Sequence, residues 1–128
     1  MNRVPKGYAL NLGLEDVIIP SCITSIDDAA FIGNPLLEHL ELTDSTKRIA
    51  KGAFGTFMTN CDINYIGDIE NYVSTKNIGQ LSSKLRIVTT TLYINNNKPI
   101  SVDIHNAKRI EDAAFYGNKD IKNLKLGK

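Results

Sequence analysis

The chain has 128 residues, of which 42% are hydrophobic and 23% are charged, and these values are ordinary for a soluble globular domain. No apolar run approaches the ~20 residues that a membrane helix needs, and the N-terminal stretch lacks the apolar core of a secretory signal. The two cysteines, Cys22 and Cys61, are too few for a disulfide scaffold. The sequence therefore predicts one domain, residues 1–128, of a reduced, cytoplasmic protein without membrane contact.

The charge is distributed unevenly along the chain. Residues 1–70 contain five basic and ten acidic side chains, for a net charge of −5, whereas residues 71–128 contain ten basic and four acidic ones, for a net charge of +6. This asymmetry becomes a spatial one if the chain is laid out linearly in the fold.

An internal repeat indicates such a layout. The segment SIDDAAFIGNPLLEHLEL (25–42) returns near the C-terminus as RIEDAAFYGNKDIKNLKL (109–126), and a third copy lies between them. The copies align on Phe31, Phe54 and Phe115, each with an Ala directly before it and an Ile five residues before it. Phe31 and Phe54 are 23 residues apart, and a fixed period of this size predicts a solenoid whose stacked units share one core.

Apolar residues two positions apart predict the strands, because such spacing puts both side chains on one face. After a cap-like segment at residues 1–15, the predicted rungs are Val17/Ile19, Leu40/Leu42, Ile63/Tyr65, Leu85/Ile87, Val102/Ile104 and Leu124/Leu126. Residues 70–99 are degenerate repeats, with Val73 and Ile78 keeping the five-residue spacing, and Leu92/Ile94 is the alternative rung there. Gly33-Asn34 and Gly117-Asn118 tolerate positive φ where the chain leaves the Ala-Phe corner.

The pattern I-x-x-x-A-F-x-G-N, followed by L-x-x-L-x-L, resembles the BspA-like leucine-rich repeat. The resemblance covers residues 16–69 and 100–126 well and residues 70–99 poorly, and it departs after Phe54, where Gly55-Thr56-Phe57 replaces the turn. It implies a β-rich or α+β solenoid, a short right-handed leucine-rich-repeat stack of about 5–6 rungs. It implies little about function, although many relatives are surface or adhesion proteins.

Motifs for catalysis are absent from the sequence. The carboxylate pairs Asp27-Asp28 and Glu111-Asp112 occupy the same repeat position before the corner, where a solvated turn accounts for them. The glycines of AKGAFGT (50–56) lack the order of a phosphate-binding loop. We therefore expect no enzymatic activity and no cofactor.

Metal and thiol chemistry are not predicted either. His39 and His105 fall on strands three rungs apart, about 14 Å, which is too far to share an ion. Cys22 and Cys61 fall in different columns of the repeat, so we expect no bridge and two partly buried, inert thiols.

Strand residues that point away from the core form the predicted binding surface, since solenoids use extended strand faces for partners. The predicted site residues are His39, Glu41, Asp62, Asn64, Arg86, Asp103, His105 and Lys125. The first rungs lean acidic and the last one leans basic, and we expect a protein partner. Nucleic acid is disfavoured, because the basic second segment has no interleaved aromatic residues and the acidic half repels phosphates.

The two ends of the stack are a second predicted surface. The last rung, Leu124/Leu126, has no polar cap, and an exposed strand edge invites another chain. Because one half is negative and the other positive, the ends also predict a homo-oligomer.

The leading functional hypothesis is a non-enzymatic protein–protein interaction module that uses the exposed strand face and the open solenoid ends. The alternative is a small intracellular inhibitor, encoded by a phage or mobile element, that blocks a host defence protein such as a CRISPR nuclease in the host cytoplasm. A third hypothesis is a fragment of a surface adhesin.

Overall fold

The computed structural model describes residues 2–55, 60–81, 90–116 and 118–127. These residues form nine strands and two short helices. In chain order they are β1 (Arg3–Val4), β2 (Asp16–Ile18), β3 (Ser25–Ile26), β4 (His39–Thr43), β5 (Arg48–Ile49), β6 (Cys61–Ile66), α1 (Ile69–Ser74), a 3-10 helix (Ile78–Leu81), β7 (Thr90–Ile94), β8 (Ser101–Ile104) and β9 (Asn123–Leu126). All the strand pairs among them are parallel.

The chain coils into a β-solenoid of about five turns, so the predicted fold is confirmed. One sheet has the strand order β2-β4-β6-β7, and a second sheet, on another side of each turn, has the order β1-β3-β5. The aromatic side chains that anchored the sequence alignment share one core: Phe31 and Phe54 are buried in it, and Phe115 packs against it.

The strand register explains why the core is continuous. Val17 lies beside Leu40, Leu40 beside Ile63, and Ile63 beside Leu92, so each inward position meets an inward position of the next turn. The strand that follows β6 is therefore the Leu92/Ile94 alternative. The other prediction for this rung, Leu85/Ile87, falls outside the described residues.

Aromatic rings stack at the corners, although not in one unbroken ladder. Phe31 and Phe54 have ring centroids 5.2 Å apart and planes 11° apart. Phe115 stacks at 6.0 Å on Tyr72 of α1, whose hydroxyl donates to the Ala114 carbonyl. Tyr72 of α1 therefore provides the aromatic ring on which Phe115, in the final corner, packs.

The backbone at these corners is left-handed two residues before the Phe in each copy. Ala29 and Ala113 both have φ of 56°, and Gly52, at the same repeat position, has φ of 76°. Positive φ was predicted later in the corner, and Gly33 confirms it with φ of 81°, whereas Gly117 falls outside the described residues.

The last two predicted rungs are present but form a sheet of their own. Val102 pairs with Leu124 and Ile104 with Leu126, and within the described residues this two-stranded sheet is not bonded to the sheet that contains β7. A tight turn ends β7, with Asn95 at φ of 51° and Asn96 at φ of 71°. It redirects the chain, so that β8 lies against α1.

The core is covered at its first turn and uncovered at its last. Val4 and Val17, on the edge strands β1 and β2, are 6% and 8% exposed. Leu124 and Leu126 are 54% and 59% exposed. The inward side chains of the first strands are therefore buried, whereas those of β9 are exposed.

The isoleucine that precedes the last corner differs in exposure from its counterparts in the earlier copies. Ile26 and Ile49 are fully buried, whereas Ile110, at the equivalent repeat position, is 45% exposed. Ile26 and Ile49 lie between neighbouring turns, but Ile110 belongs to the final corner, and no later turn covers it among the described residues.

Candidate functional site: the acidic strand face

The outward side chains of β2, β4, β6 and β7 form a continuous surface, because alternate residues of a strand point to opposite faces. We name this surface the acidic strand face. It consists of Asp16, Ile18, His39, Glu41, Asp62, Asn64, Thr91 and Tyr93. Half of the predicted site residues, those on β4 and β6, are thereby brought together.

The register places His39 between two carboxylates. Asp16 lies beside His39, and His39 beside Asp62, with about 4.8 Å between neighbouring strands. Asp16 and Asp62 are therefore about 10 Å apart. His39 Nδ1 lies 3.5 Å from an oxygen of Asp62, and both side chains are about half exposed.

Positive charge is missing from this surface. Among the described residues, the outward positions of these four strands carry no Lys or Arg. Glu15 and Glu38, which directly precede β2 and β4, are also exposed. The summed charges give the face a negative potential that attracts cationic groups.

An asparagine network fixes one side of the face. The Asn64 amide donates to Glu41 Oε1 at 3.4 Å and to Asn96 Oδ1 at 2.7 Å, and the Asn96 backbone N–H donates back to Asn64 Oδ1 at 3.0 Å. Asn96 comes from the turn after β7, 32 residues away in sequence. Nothing in the repeat pattern marked this residue, because it lies in the degenerate segment.

The remaining predicted site residues form a second cluster. Asp103 and Lys125 are paired in register on β8 and β9. His105 Nδ1 lies 3.6 Å from an oxygen of Asp103 and 3.9 Å from an oxygen of Glu70. Arg86 falls outside the described residues. The predicted single column is therefore two clusters on two separate sheets.

A different side of the solenoid carries basic residues. Arg3 of β1 and Arg48 of β5 lie on either side of Ser25 in the second sheet. Lys76 forms a β-bridge with Arg48, so three basic residues lie along this side. Asp27 forms ion pairs with Arg3 at 3.6 Å and Arg48 at 4.0 Å. Charge is thus separated across the width of the solenoid as well as along its length.

In each of the two corner carboxylate pairs, Asp27-Asp28 and Glu111-Asp112, one carboxylate forms ion pairs or hydrogen bonds and the other is exposed. Besides Asp27, Glu111 forms an ion pair with Arg109 at 3.0 Å and accepts the Asn77 backbone N–H at 2.8 Å. Asp28 and Asp112 are exposed. The prediction of a solvated turn is therefore wrong for Asp27 and Glu111, which join neighbouring turns.

Glu70 of α1 holds the loop that follows β8. Its Oε1 accepts three consecutive backbone N–H groups, from His105 at 3.2 Å, from Asn106, and from Ala107 at 2.7 Å. Burial raises the pKa of Glu70, but the backbone bonds from Asn106 and Ala107, with nearby His105, outweigh burial and hold the pKa below its ordinary value. A polar cleft of about 490 Å³, with Lys108 on its wall, lies between this helix and loop.

We expect Glu70→Gln to lower the melting temperature at about pH 7, because the amide accepts these N–H groups without a charge. A lowered folded-state pKa stabilises the fold above the ordinary value of about 4.3, and this stabilisation is lost as the pH falls through the folded-state pKa. The difference from the wild type should therefore shrink toward zero in acid, where the wild-type carboxyl is also neutral.

Thermal unfolding followed by circular dichroism between pH 2 and pH 8 measures this effect, with Glu15→Gln at an exposed glutamate as the matched control. If the melting temperatures of Glu70→Gln and the wild type differ by the same amount at every pH, the Glu70 carboxylate does not stabilise the fold through its charge.

The two cysteines differ in exposure. Cys61 is buried at the start of β6, whereas Cys22 is exposed, which corrects the prediction that both are partly buried. Burial, and then the charges of Asp62 and Glu38, raises the pKa of the Cys61 thiol to about 12. Cys61 is therefore a protonated thiol under ordinary conditions.

We expect Ellman's reagent at about pH 8 to modify one thiol of the native protein rapidly and the second one only after unfolding in urea, because the thiolate is the reactive form. Absorbance of the released thiolate counts the sites. Loss of the rapid phase in Cys22→Ser confirms the assignment, and two rapid equivalents in the native wild type would refute it.

The described part of the chain contains neither a metal-ligand cluster nor a membrane-spanning helix. No group of three or more His, Cys, Asp or Glu side chains in residues 2–55, 60–81, 90–116 and 118–127 is arranged to hold a metal ion. No helix in these same ranges is long and apolar enough to cross a bilayer.

Comparison with known protein families agrees with the geometry. The model of the BspA type leucine rich repeat region matches residues 6–122 with six copies. Curated proteins and solved structures gave no match. The matched region contains most of the solenoid, including every strand of the acidic strand face. The chain therefore belongs to the BspA-type leucine-rich repeat family.

Proposed function

We propose that the chain is a non-enzymatic interaction module whose acidic strand face binds a cationic surface of another protein. Leucine-rich repeats generally mediate protein–protein interaction. The observation that carries the proposal is that β2, β4 and β6 each present one outward carboxylate, from Asp16, Glu41 and Asp62, with no Lys or Arg at the described outward positions of that sheet.

The face has the properties of a specific recognition surface. Asp16, Glu41 and Asp62 stand on strands whose register fixes their spacing, so their backbones lose little conformational freedom on binding. Charge complementarity between the face and a cationic partner raises the association rate and excludes partners of like charge, and its effect weakens as the salt concentration rises. Ile18, 70% exposed, and Tyr93 lie at the edges of the face and supply apolar contact.

A binding role also agrees with how the carboxylates outside the face are used. Asp27 and Glu111 are held in ion pairs, and Glu70 is committed to the loop after β8. The inhibitor and adhesin hypotheses stay predictions, since no described contact favours either one. The homo-oligomer also stays a prediction.

The test is a pull-down from the native host with the wild-type chain and with the double reversal Glu41→Lys/Asp62→Lys. Both side chains are partly exposed, so the reversal changes the potential of the face without disturbing the core. We expect the captured protein to be lost from the double variant by at least tenfold, which corresponds to about 1.4 kcal/mol.

The matched control is Asp28→Lys/Asp112→Lys, which makes the same change in net charge at two exposed corner residues outside the face. It should capture the partner as the wild type does. Capture that survives the Glu41→Lys/Asp62→Lys reversal, or that both double variants lose equally, would show that the acidic strand face is not the site.

A further inference from the structure

The second sheet of the solenoid carries a row of cations on its outward side. Arg3, Arg48 and Lys76 are exposed there, and we name these three residues the basic row. Ser25 lies between the two arginines in register, and Lys76 is bridged to Arg48. The row is fixed to the core, because on β1, β3 and β5 the residue that follows each outward one is buried.

One carboxylate, that of Asp27, accompanies the basic row. It lies 3.6 Å from Arg3 and 4.0 Å from Arg48, and its side chain is 24% exposed, against 67% and 50% for the two arginines. The exposed residues two positions beyond the ends of β1, β3 and β5 are Lys6, Asp28 and Lys51. Cations therefore outnumber carboxylates along this side, which attracts anionic groups.

The basic row and the acidic strand face carry opposite charges in the same turns and at the same spacing. Arg3 and Arg48 lie on strands two spacings, about 10 Å, apart. Asp16 and Asp62 are also two spacings apart, and they lie on β2 and β6, which follow β1 and β5 along the chain. The repeat therefore prints a matching pattern of charge on two sides of one stack.

Two copies that pack side by side with parallel stacking axes bring these patterns together. Their turns follow the same order, so Arg3 of one copy faces Asp16 of the other and Arg48 faces Asp62. The formal net charge of the chain is +1, so overall repulsion between copies is small. The contact joins different surfaces on the two copies, and such an interface continues into a ring or a filament instead of closing as a two-fold dimer.

We propose that the acidic strand face of one copy binds the basic row of a second copy, so that solenoids assemble side by side. This inference rests on the proposed function, because it assigns to the acidic strand face one particular cationic partner. Exposed ion pairs contribute little individually and are screened by salt, so the association is weak and salt-sensitive, and multiple contacts strengthen it. The contact lies along the sides of the stack and does not use its ends.

Two complementary variants test the proposal. Asp16→Asn/Asp62→Asn keeps the basic row and impairs the acidic strand face, whereas Arg3→Gln/Arg48→Gln keeps the face and impairs the row. Circular dichroism verifies that both variants are folded. Sedimentation velocity over a concentration series then gives the mass of the wild type, of each variant and of their equimolar mixture, at low and at high salt.

We expect the wild type to exceed the mass of a dimer at low salt and to return to the monomer mass at high salt. Each variant alone should associate at least tenfold more weakly than the wild type. Their mixture should form a one-to-one complex and nothing larger, because it retains a single pair of intact surfaces for each two chains. A complex that forms only on mixing separates this heterologous contact from a two-fold dimer.

The matched controls are Asp112→Asn/Asp120→Asn and Lys119→Gln/Lys125→Gln, which make the same changes in net charge outside the two surfaces. Both should assemble as the wild type does. Assembly that the controls lose as completely as the test variants would show that net charge, and not the two surfaces, drives it, and the proposal would then be wrong.

A wild type that stays monomeric at low salt also overturns the proposal, as does a mixture of the two variants that stays monomeric. The pull-down keeps this outcome apart from the proposed function. If the wild type is monomeric but the Glu41→Lys/Asp62→Lys reversal still loses a host protein, the acidic strand face binds another partner and only the self-association is wrong.

Discussion

Parallel pairing of neighbouring turns, with inward positions beside inward positions, is the constraint on which the rest of the structure depends. Asp16 pairs with His39 and His39 with Asp62, an offset of 23 residues on both steps. Because strand side chains alternate, a slip of one residue would turn Glu41 and Asn64 into the core. The same register therefore builds the core and, on its outer side, the acidic strand face.

The first three turns were predictable because their signals are local. Apolar pairs gave the positions of β2, β4 and β6, and the spacing of Phe31 and Phe54 gave their offset. The degenerate segment was harder, because α1 replaces an extended segment there. Its N-cap, Asp68, accepts the Glu70 N–H at 3.0 Å, a contact that the repeat pattern does not encode. The predicted pair Val73 and Ile78 is nevertheless buried, on the two short helices.

The candidate site was predictable to a similar degree. His39, Glu41, Asp62 and Asn64 follow from strand alternation and therefore meet on one face. Asp103, His105 and Lys125 were expected on that face but lie on another sheet, because the turn after β7 redirects the chain. Contacts between distant segments, such as the Asn64–Asn96 bonds, have no periodic signal, and only the folded backbone shows them.

The acidic strand face is a broad sheet surface with carboxylates on three neighbouring strands. The face exists only if the turns share one packed core.

That shared core is tested most directly by a double-mutant cycle on Phe31 and Phe54, whose rings stack at 5.2 Å across neighbouring turns. Urea unfolding of Phe31→Leu, Phe54→Leu and the double variant gives the coupling free energy, and a stacked pair predicts about 1 kcal/mol. Phe31→Leu with Phe115→Leu, whose ring stacks on Tyr72, should be additive. Additivity of the Phe31 and Phe54 substitutions, to within about 0.3 kcal/mol, would contradict the stacked core.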